Sequence, residues 1–169
     1  ALERVVDGLR PSRLLRDIVI VTTRHPSDDP IEALAKKRDL LIYRGDYDNI
    51  VKRFLDAADA YGTEVIVRAT GDCPAVSHEV ADYLAEQHLE TGSDYTTIET
   101  DKVAVGIYPD IISTAALKRL AGFSVDFSYS EYLAFYFKNN PKQFAVHTAP
   151  APAEFRFPEY RLTLAPAED

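Results

Sequence analysis

Short apolar runs alternate with helically spaced apolar residues along the first half of the chain. The runs at 17–23, 40–43 and 65–68 predict strands, and their nearly continuous hydrophobicity is typical of strands covered on both faces. The predicted helices are 2–9, a segment beginning near Pro30, a segment from Asp46 to Gly62 and a segment from Ser77 to Gly92. Because each crossover has the length of a helix, the pattern indicates βαβ units and a parallel sheet.

Capping signals mark the ends of two of these helices. Asp29 is a good N-cap with Pro30 at the first helical position, and Glu32 completes a capping-box pattern. Ser77 can cap a helix that ends at Gly92. We therefore expect helices to begin after Asp29 and after Ser77.

The second half of the chain has a less regular pattern, which indicates a mixed sheet with fewer crossovers. Its predicted strands are 94–98, 103–112 with a bend at Gly106, 143–148 and 160–164. Its predicted helices are a short one capped by Ser113 and Thr114, and an aromatic-rich one at 129–139. We expect an α/β fold in a single domain over 1–169.

Composition and charge narrow the class of protein. A length of 169 residues suits one domain, and 46% hydrophobic with 27% charged residues is usual for globular chains. The net charge of −8 argues against a general nucleic-acid or membrane-surface binder. No apolar stretch reaches membrane-spanning length, and the single cysteine, Cys73, excludes an intrachain disulfide. We expect a cytoplasmic protein with neither nucleic acid nor membrane as a partner.

The stretch from Val65 to Pro74 carries the main candidate chemistry. Its β-branched run stops at Gly71-Asp72 and then meets Pro74. Ligands of open α/β sheets bind beyond the carboxyl ends of the strands, so Asp72 is a candidate contact for magnesium or a ribose. The alternative is that Asp72 forms the turn by bonding to its own backbone.

Other candidate groups each allow a structural alternative. Cys73 could be a nucleophile, although a free cysteine is more often a small buried hydrophobe. Arg44 and Arg53 could bind phosphate, or could form surface ion pairs with the acidic turn at 46–48. The aromatic helix at 129–139 could stack a base, or could face the core or a dimer partner. The four histidines have no metal-ligand spacing, which argues against a zinc site.

Several sequence blocks stand in the order seen in cytidylyltransferases. They are Thr22-Thr23, 28–30, 43–45, 67–74, and 161–164 followed by 168–169. The chain therefore resembles the cytidylyltransferase family, above all its spore-coat polysaccharide biosynthesis branch, over essentially its whole length. The Arg-x-Thr-Gly-Asp-Cys-Pro segment is the most specific part. The block Gly106-Ile107-Tyr108 is also similar to one in CMP-Kdo synthetases.

The resemblance implies a three-layer α/β/α nucleotide-diphospho-sugar transferase fold of the GT-A type, with a mixed, mostly parallel sheet. It implies a transferase that moves a nucleotidyl group from CTP, or another nucleotide, to a sugar and releases pyrophosphate. Asp72 matches a magnesium-binding aspartate of the family, and Arg68, Thr70 and Gly71 match residues that line the nucleotide pocket. A homodimer is also an expectation.

The chain departs from the family pattern at several positions. The family opens with a strand and a basic, glycine-containing loop for the triphosphate, whereas this chain begins at the helix that follows them. Ala165 stands where the family has its second metal-binding aspartate, Tyr108 where the branch often has an aspartate, and Lys52 replaces an aspartate beside a retained Arg53. No catalytic residue is assigned.

Three functions are therefore expected as alternatives. The first is a cytidylyltransferase of surface or spore-coat polysaccharide biosynthesis. The second is a degenerate module that binds a nucleotide or sugar without turnover, or that supports a partner enzyme as a dimer. The third is a glycosyltransferase on the same fold that uses a preformed nucleotide sugar.

Overall fold

The structure is a computed structural model and describes residues 1–123, 127 and 133–164. Its elements are α1 (Leu2–Leu9), β1 (Val19–Thr23), α2 (Asp29–Lys37), β2 (Leu41–Gly45), α3 (Ile50–Tyr61), β3 (Val65–Arg68), α4 (His78–Thr91), β4 (Tyr95–Ile98), β5 (Asp110–Ser113), α5 (Thr114–Ala121), α6 (Leu133–Lys138) and β6 (Val146–Ala149). No helix among the described residues is long and apolar enough to cross a bilayer.

The chain forms two compact units. The first unit comprises 1–15, 67–112 and the described part of 145–169, and the second comprises 16–66 and the described part of 113–144. The boundary between them falls inside β3 and at the last residue of β5. The single domain over 1–169 stays a prediction.

The second unit is built on the parallel pair β1 and β2, in which Val19 lies opposite Leu41. Helix α3 packs on both strands and on α5. It begins where the Asn49 side chain accepts from the amide of Lys52, and it ends at Gly62, whose φ is 61°. These packed faces bury the apolar side of α3 and form the core of this unit.

A four-stranded sheet has the order β3-β5-β4-β6, and its residues 67–68, 95–98, 110–112 and 146–149 belong to the first unit. Strand β4 is parallel to β6 and antiparallel to β5, so this sheet is mixed, as the sequence predicts. Helix α4 packs on β4 and β6 and contacts α1. Its N-cap is Ser77, and Gly92 follows its last residue, both as predicted. A Cβ on Gly8 would lie 2.5 Å from the Val76 carbonyl oxygen, so α1 runs directly against the chain that leads into α4.

Buried polar groups tie this unit together. The Asp82 carboxylate accepts hydrogen bonds from the Ser12 hydroxyl and from the Arg13 amide, the latter at 3.0 Å. The His88 Nδ1 lies 2.9 Å from the Thr96 hydroxyl oxygen, and burial lowers the pKa of the His88 imidazole. Buried polar groups are costly unless they are paired, so both contacts stabilise the unit.

Two predicted elements differ in the structure. The N-cap of α2 is Asp28 rather than Asp29, and a 3₁₀ turn at Pro26–Asp28 precedes it. The Asp28 carboxylate does not cap the helix, because it accepts hydrogen bonds from the end of β1. The predicted strand at 160–164 is wrong, since one bridge between Arg161 and Val105 replaces a strand there.

Two other predicted elements are shorter than expected. Within 103–112 the strand occupies only the last three residues and continues to Ser113, because the chain turns at Gly106 with a φ of 101°. Within 129–139 the structure shows α6, and residues 129–132 lie outside the described residues. Phe137 of α6 is fully buried, whereas Phe135 is 52% exposed.

Candidate functional site

The loop that follows β3 is closed by main-chain hydrogen bonds. The Cys73 amide donates to the Thr70 carbonyl at 3.2 Å, and the Val76 amide donates to the Cys73 carbonyl at 3.1 Å. The Asp72 side chain is exposed, and its carboxylate lies 3.7 Å from the Cys73 sulfur. No main-chain amide of the described residues donates to that carboxylate, so the turn forms without it.

The main chain of Asp72 is held by the last described residue. The Leu164 amide donates to the Asp72 carbonyl at 2.8 Å. A few residues earlier, the Val105 amide donates to the Tyr160 carbonyl at 3.0 Å, and the Leu162 amide donates to the Val105 carbonyl at 2.8 Å. This segment therefore joins the loop after β3 to the loop before β5.

A pocket of about 140 Å³ opens between these two loops of the first unit. It is lined by Arg68, Thr70, Cys73, Val105, Gly106, Tyr108 and Asp110. Pockets for drug-sized ligands usually measure about 300–1,000 Å³. The pocket by itself is therefore smaller than a usual small-molecule site and can enclose only part of a nucleotide.

A buried charge pair forms one wall of the pocket. The Arg68 Nη1 lies 3.3 Å from the Asp110 Oδ2, with the two side chains 8% and 16% exposed. The Tyr95 hydroxyl donates to the other oxygen of Asp110, and Tyr95 is fully buried. Burial and the Asp110 charge raise the pKa of both Tyr95 and Tyr108, so their hydroxyls stay protonated at neutral pH.

Cys73 lies in the pocket as a thiol. Partial burial raises the pKa of its thiol, and the Asp72 charge adds to this effect. The Thr70 hydroxyl oxygen lies 3.2 Å from the sulfur. Because a nucleophilic cysteine needs a lowered pKa, this environment argues against a nucleophile.

The structure brings together part of the predicted site. Arg68 and Thr70 line the pocket, whereas Gly71 and Asp72 lie in the adjoining exposed loop. A Cβ on Gly71 would meet no atom within 4 Å. Ala165 lies outside the described residues. The nucleotide-binding roles of Arg68, Thr70 and Gly71 stay predictions.

Sequence reasoning missed Asp110 and Tyr95 as members of this site. Asp110 is separated from Arg68 in sequence by α4 and β4, so their pairing has no local signal. One signal was available, because Asp110 begins a buried apolar strand, where a charged residue needs a partner. Tyr108 stands where the spore-coat branch often has an aspartate. In this chain the carboxylate that lines the pocket comes from Asp110, two residues later.

The other two candidate phosphate-binding residues, Arg44 and Arg53, lie in the second unit and bond to other residues of that unit. Arg44 forms ion pairs with Asp29 at 2.8 Å and Glu32 at 2.5 Å, and donates to the Thr23 carbonyl at 2.8 Å. The alternative that Arg44 pairs with the acidic turn at 46–48 is therefore wrong. Its guanidinium instead fastens the ends of β1 and β2 to α2.

Arg53 contacts the same turn through the main chain. Its Nη1 donates to the Asp46 carbonyl at 2.9 Å and to the Tyr47 carbonyl at 3.3 Å. These bonds hold the loop that leads into α3, and a role in binding phosphate stays a prediction for both arginines.

Comparison with solved structures defines the class of protein. A cytidylyltransferase from Leptospira borgpetersenii serovar Hardjo-bovis (strain JB197) is 28% identical, with a TM-score of 0.85 over 96% of this chain and 69% of that one. A CMP:2-keto-3-deoxy-manno-octonic acid synthetase complexed with CTP has a TM-score of 0.68 over 90% of this chain and 79% of that one. At 11% identity the second likeness shows the fold alone. The chain has the α/β nucleotidyltransferase fold, which confirms the predicted fold class.

The sequence comparisons define the family. The Cytidylyltransferase family profile matches residues 2–166, and the chain belongs to this family, as the sequence blocks predict. It is 32% identical over 154 residues to the spore coat polysaccharide biosynthesis protein SpsF of Bacillus subtilis (strain 168). That match covers 90% of this chain and 63% of the relative, so the chain spans somewhat less than two thirds of that protein.

Proposed function

We propose that the protein transfers a cytidylyl group from CTP to a sugar in the synthesis of a surface or spore-coat polysaccharide. A sugar hydroxyl would attack the α-phosphorus of CTP, and pyrophosphate would leave. Membership of the cytidylyltransferase family supports the reaction. The name of the Bacillus relative supports the pathway, and the synthetase neighbour complexed with CTP supports the nucleotide.

The position of Asp72 carries this proposal. Its exposed carboxylate follows the carboxyl end of β3, where ligands of open α/β sheets bind. The turn is closed without that carboxylate, and the Leu164 amide fixes the main chain beneath it. Because this carboxylate is exposed and the turn closes without it, it is available to a ligand.

Magnesium is the proposed cofactor. No group of three or more His, Cys, Asp or Glu side chains in the described parts of the chain could hold a metal by itself. Magnesium usually takes one or two protein carboxylates together with phosphate oxygens and water. Asp72 could therefore supply the single protein carboxylate for a magnesium ion whose other ligands are triphosphate oxygens and water. Bound there, magnesium would neutralise charge that develops on the transferred phosphoryl group.

The neighbouring residues would position the nucleotide. Gly71 has open space where a side chain would stand, so a phosphate or a ribose can approach its main chain closely. Thr70 offers a hydroxyl to the same region. Arg68 would contact the nucleotide through direct hydrogen bonds, because Asp110 already neutralises its charge. A homodimer and a cytoplasmic location remain part of the proposal.

The decisive test is pyrophosphate release from CTP in the presence of magnesium and a panel of sugars, with the full-length protein. Release that depends on a sugar supports the proposal. CTP binding in a calorimeter without release would indicate a degenerate binding module. Transfer of sugar from a preformed CMP-sugar, without pyrophosphate, would indicate a glycosyltransferase.

A second variant tests the metal position that departs from the family. Ala165→Asp would supply the second carboxylate that the family pattern has at this position, and we expect tighter magnesium-dependent binding of CTP. Ala167→Asp adds the same charge two positions away and serves as the control. Equal effects of the two substitutions would contradict a specific metal role for position 165.

A further inference from the structure

We infer that Asp110 and Tyr95 are positioning residues of the nucleotide site, where together they hold the Arg68 guanidinium in place. The inference rests on the proposed function, because it takes Arg68 as a residue that contacts CTP. It adds two residues to that site, both of which would act through Arg68.

Three neighbouring strands bring these side chains together. Arg68 is the last residue of β3, Asp110 the first of β5 and Tyr95 the first of β4, and β5 lies between the other two strands. Tyr95 lies opposite Ile112 in the antiparallel pair of β4 and β5. Asp110 is two residues from Ile112, so it faces the same side and is a diagonal neighbour of Tyr95, within reach of an aromatic side chain. The sheet therefore places the carboxylate between the guanidinium and the hydroxyl.

The Asp110 carboxylate uses a different oxygen for each partner. The Arg68 Nη1 lies 3.3 Å from Oδ2, and the Tyr95 hydroxyl donates to Oδ1. Tyr95 is fully buried, and burial raises the pKa of its hydroxyl, which therefore keeps the proton that it donates. Because Oδ1 is bound, the carboxylate does not turn freely about its terminal torsion, which is otherwise broad. Oδ2 therefore stays directed at Arg68.

Arg68 needs such a partner to stay in the pocket wall. An arginine side chain is long and loses much rotamer freedom when it is ordered. The side chain of Arg68 is only 8% exposed, and a buried charge without a partner is costly, so loss of Asp110 would favour rotamers that reach water. With Asp110 present, a nucleotide meets a guanidinium that is already ordered.

Stability alone does not account for this charge pair. A buried ion pair usually stabilises a fold no more than apolar residues of similar volume would. Arg68 and Asp110 also line an open pocket rather than a closed core. A charge pair held in this way at a pocket is typical of a functional site.

Tyr95→Phe separates positioning from neutralisation of charge. The substitution removes one hydroxyl and leaves both charges, so CTP binding stays unchanged if Asp110 only neutralises Arg68. Positioning predicts that the Kd for CTP, measured by calorimetry, rises about threefold to tenfold, because the carboxylate loses a hydrogen bond. Tyr83→Phe is the matched control, since it removes a hydroxyl that bonds to the Pro150 carbonyl and does not line the pocket.

A double-mutant cycle then tests whether Asp110 acts through Arg68. Asp110→Asn keeps the shape of the side chain and should weaken CTP binding at least about tenfold. In an Arg68→Gln background it should cause no further loss, whereas a merely structural role would cause the same loss in both backgrounds. Tighter binding of CTP by Asp110→Asn, or additive losses, would overturn the inference. If Asp110→Asn does not fold, Tyr95→Phe is combined with Arg68→Gln in the same cycle.

The reactivity of Arg68 gives a second readout that needs no ligand. Phenylglyoxal modifies arginines, and peptide mapping by mass spectrometry gives the rate at each one. We expect the rate at Arg68 to rise at least about threefold in Tyr95→Phe and in Asp110→Asn. Arg13, whose side chain is 84% exposed, serves as the internal reference. Unchanged rates at Arg68 would overturn the inference.

The two readouts keep this inference separate from the proposed function. Unchanged CTP binding by Arg68→Gln would overturn the nucleotide role of Arg68 while leaving the transfer reaction intact. Absence of CTP binding by the wild-type protein would overturn the proposed function and that role together. The phenylglyoxal rates then decide alone whether Asp110 and Tyr95 hold Arg68.

Discussion

The main-chain amide of Leu164 donates a 2.8 Å hydrogen bond to the main-chain carbonyl of Asp72. Together with the bridge between Arg161 and Val105, this contact fastens one extended segment to both loops that line the pocket. The main chain of Asp72 is therefore held by residues far along the chain as well as by β3.

Replacing Asp72 by asparagine should separate ligand binding from folding. The side chain is exposed and does not close the turn, so we expect the melting temperature to change little. Magnesium-dependent binding of CTP, measured by calorimetry, should weaken at least about tenfold because the ion loses its charged ligand. Asp101→Asn, at another exposed carboxylate of the same unit, is the control. A large loss of stability with unchanged binding would show that Asp72 serves the fold.

Gly106→Ala should destabilise the protein by about 1–3 kcal/mol, measured by urea unfolding. The φ of Gly106 is 101°, and a Cβ there would lie 3.1 Å from the Thr163 Cγ2 and 3.2 Å from the Leu162 carbonyl carbon. Gly71→Ala is the matched control, because a Cβ there meets open space. We expect Gly71→Ala to keep the stability and to weaken nucleotide binding. Equal stability losses for both variants would refute this contrast.

Asp28 should contribute to stability at neutral pH and lose that contribution in acid. Hydrogen bonds from the side chains of Thr23 and Thr22 lower the pKa of Asp28 to about 2. Since this is below the value of the unfolded chain, the contribution is present above about pH 4 and is lost as the pH falls towards 2. We expect Asp28→Ala to cost about 1–2 kcal/mol at pH 7 and much less near pH 2.

The control for Asp28 is Asp48→Ala, which removes a charge at an exposed position of the same unit. It should change the free energy of unfolding by less than about 0.5 kcal/mol. Circular dichroism during urea titration at several pH values measures both variants. A pH-independent loss for Asp28→Ala would contradict the proposed ionised hydrogen bonds.

His88 should make the protein less stable in weak acid. Burial lowers the pKa of its imidazole below the ordinary 6.5, so the unfolded chain binds the proton more readily. The stability is complete above about pH 6.5 and falls below it, by up to about 1.4 kcal/mol per pH unit until the folded imidazole also titrates. His88→Gln should flatten the profile between pH 5 and 7, whereas the exposed His25→Gln should keep it. Melting temperatures against pH provide the measurement.

Local sequence signals predicted the helices well. Ser77 and the glycines after α3 and α4 act where the sequence indicates, because capping depends on neighbouring residues. Helix α3 begins later than the predicted Asp46, at Ile50, because the Asn49 side chain caps it. The start of α2 was wrong by one residue because the Asp28 carboxylate bonds to Thr22 and Thr23, across a turn, instead of to the helix. The first residue of α2 therefore depends on this contact between Asp28 and the end of β1, which local sequence does not report.

The site was predicted only in part, for a related reason. The loop from Arg68 to Asp72 can be identified from its own residues, since the strand end and the Gly-Asp step are adjacent in sequence. The pairing of Arg68 with Asp110 joins residues on separate strands and has no sequence period that reports it. The expected strand at 160–164 failed similarly, because bonds to two loops replaced a strand ladder.

The division of the chain has a consequence for its synthesis. Neither compact unit is continuous in sequence, and the first unit takes segments from the beginning, the middle and the end of the chain. A ribosome must therefore deliver residues beyond 145 before β6 can pair with β4, and residue 164 before the loop at Asp72 is fastened. Until then the edge of β4 that pairs with β6 stays open, and an unpaired strand edge of this kind favours aggregation of a nascent chain.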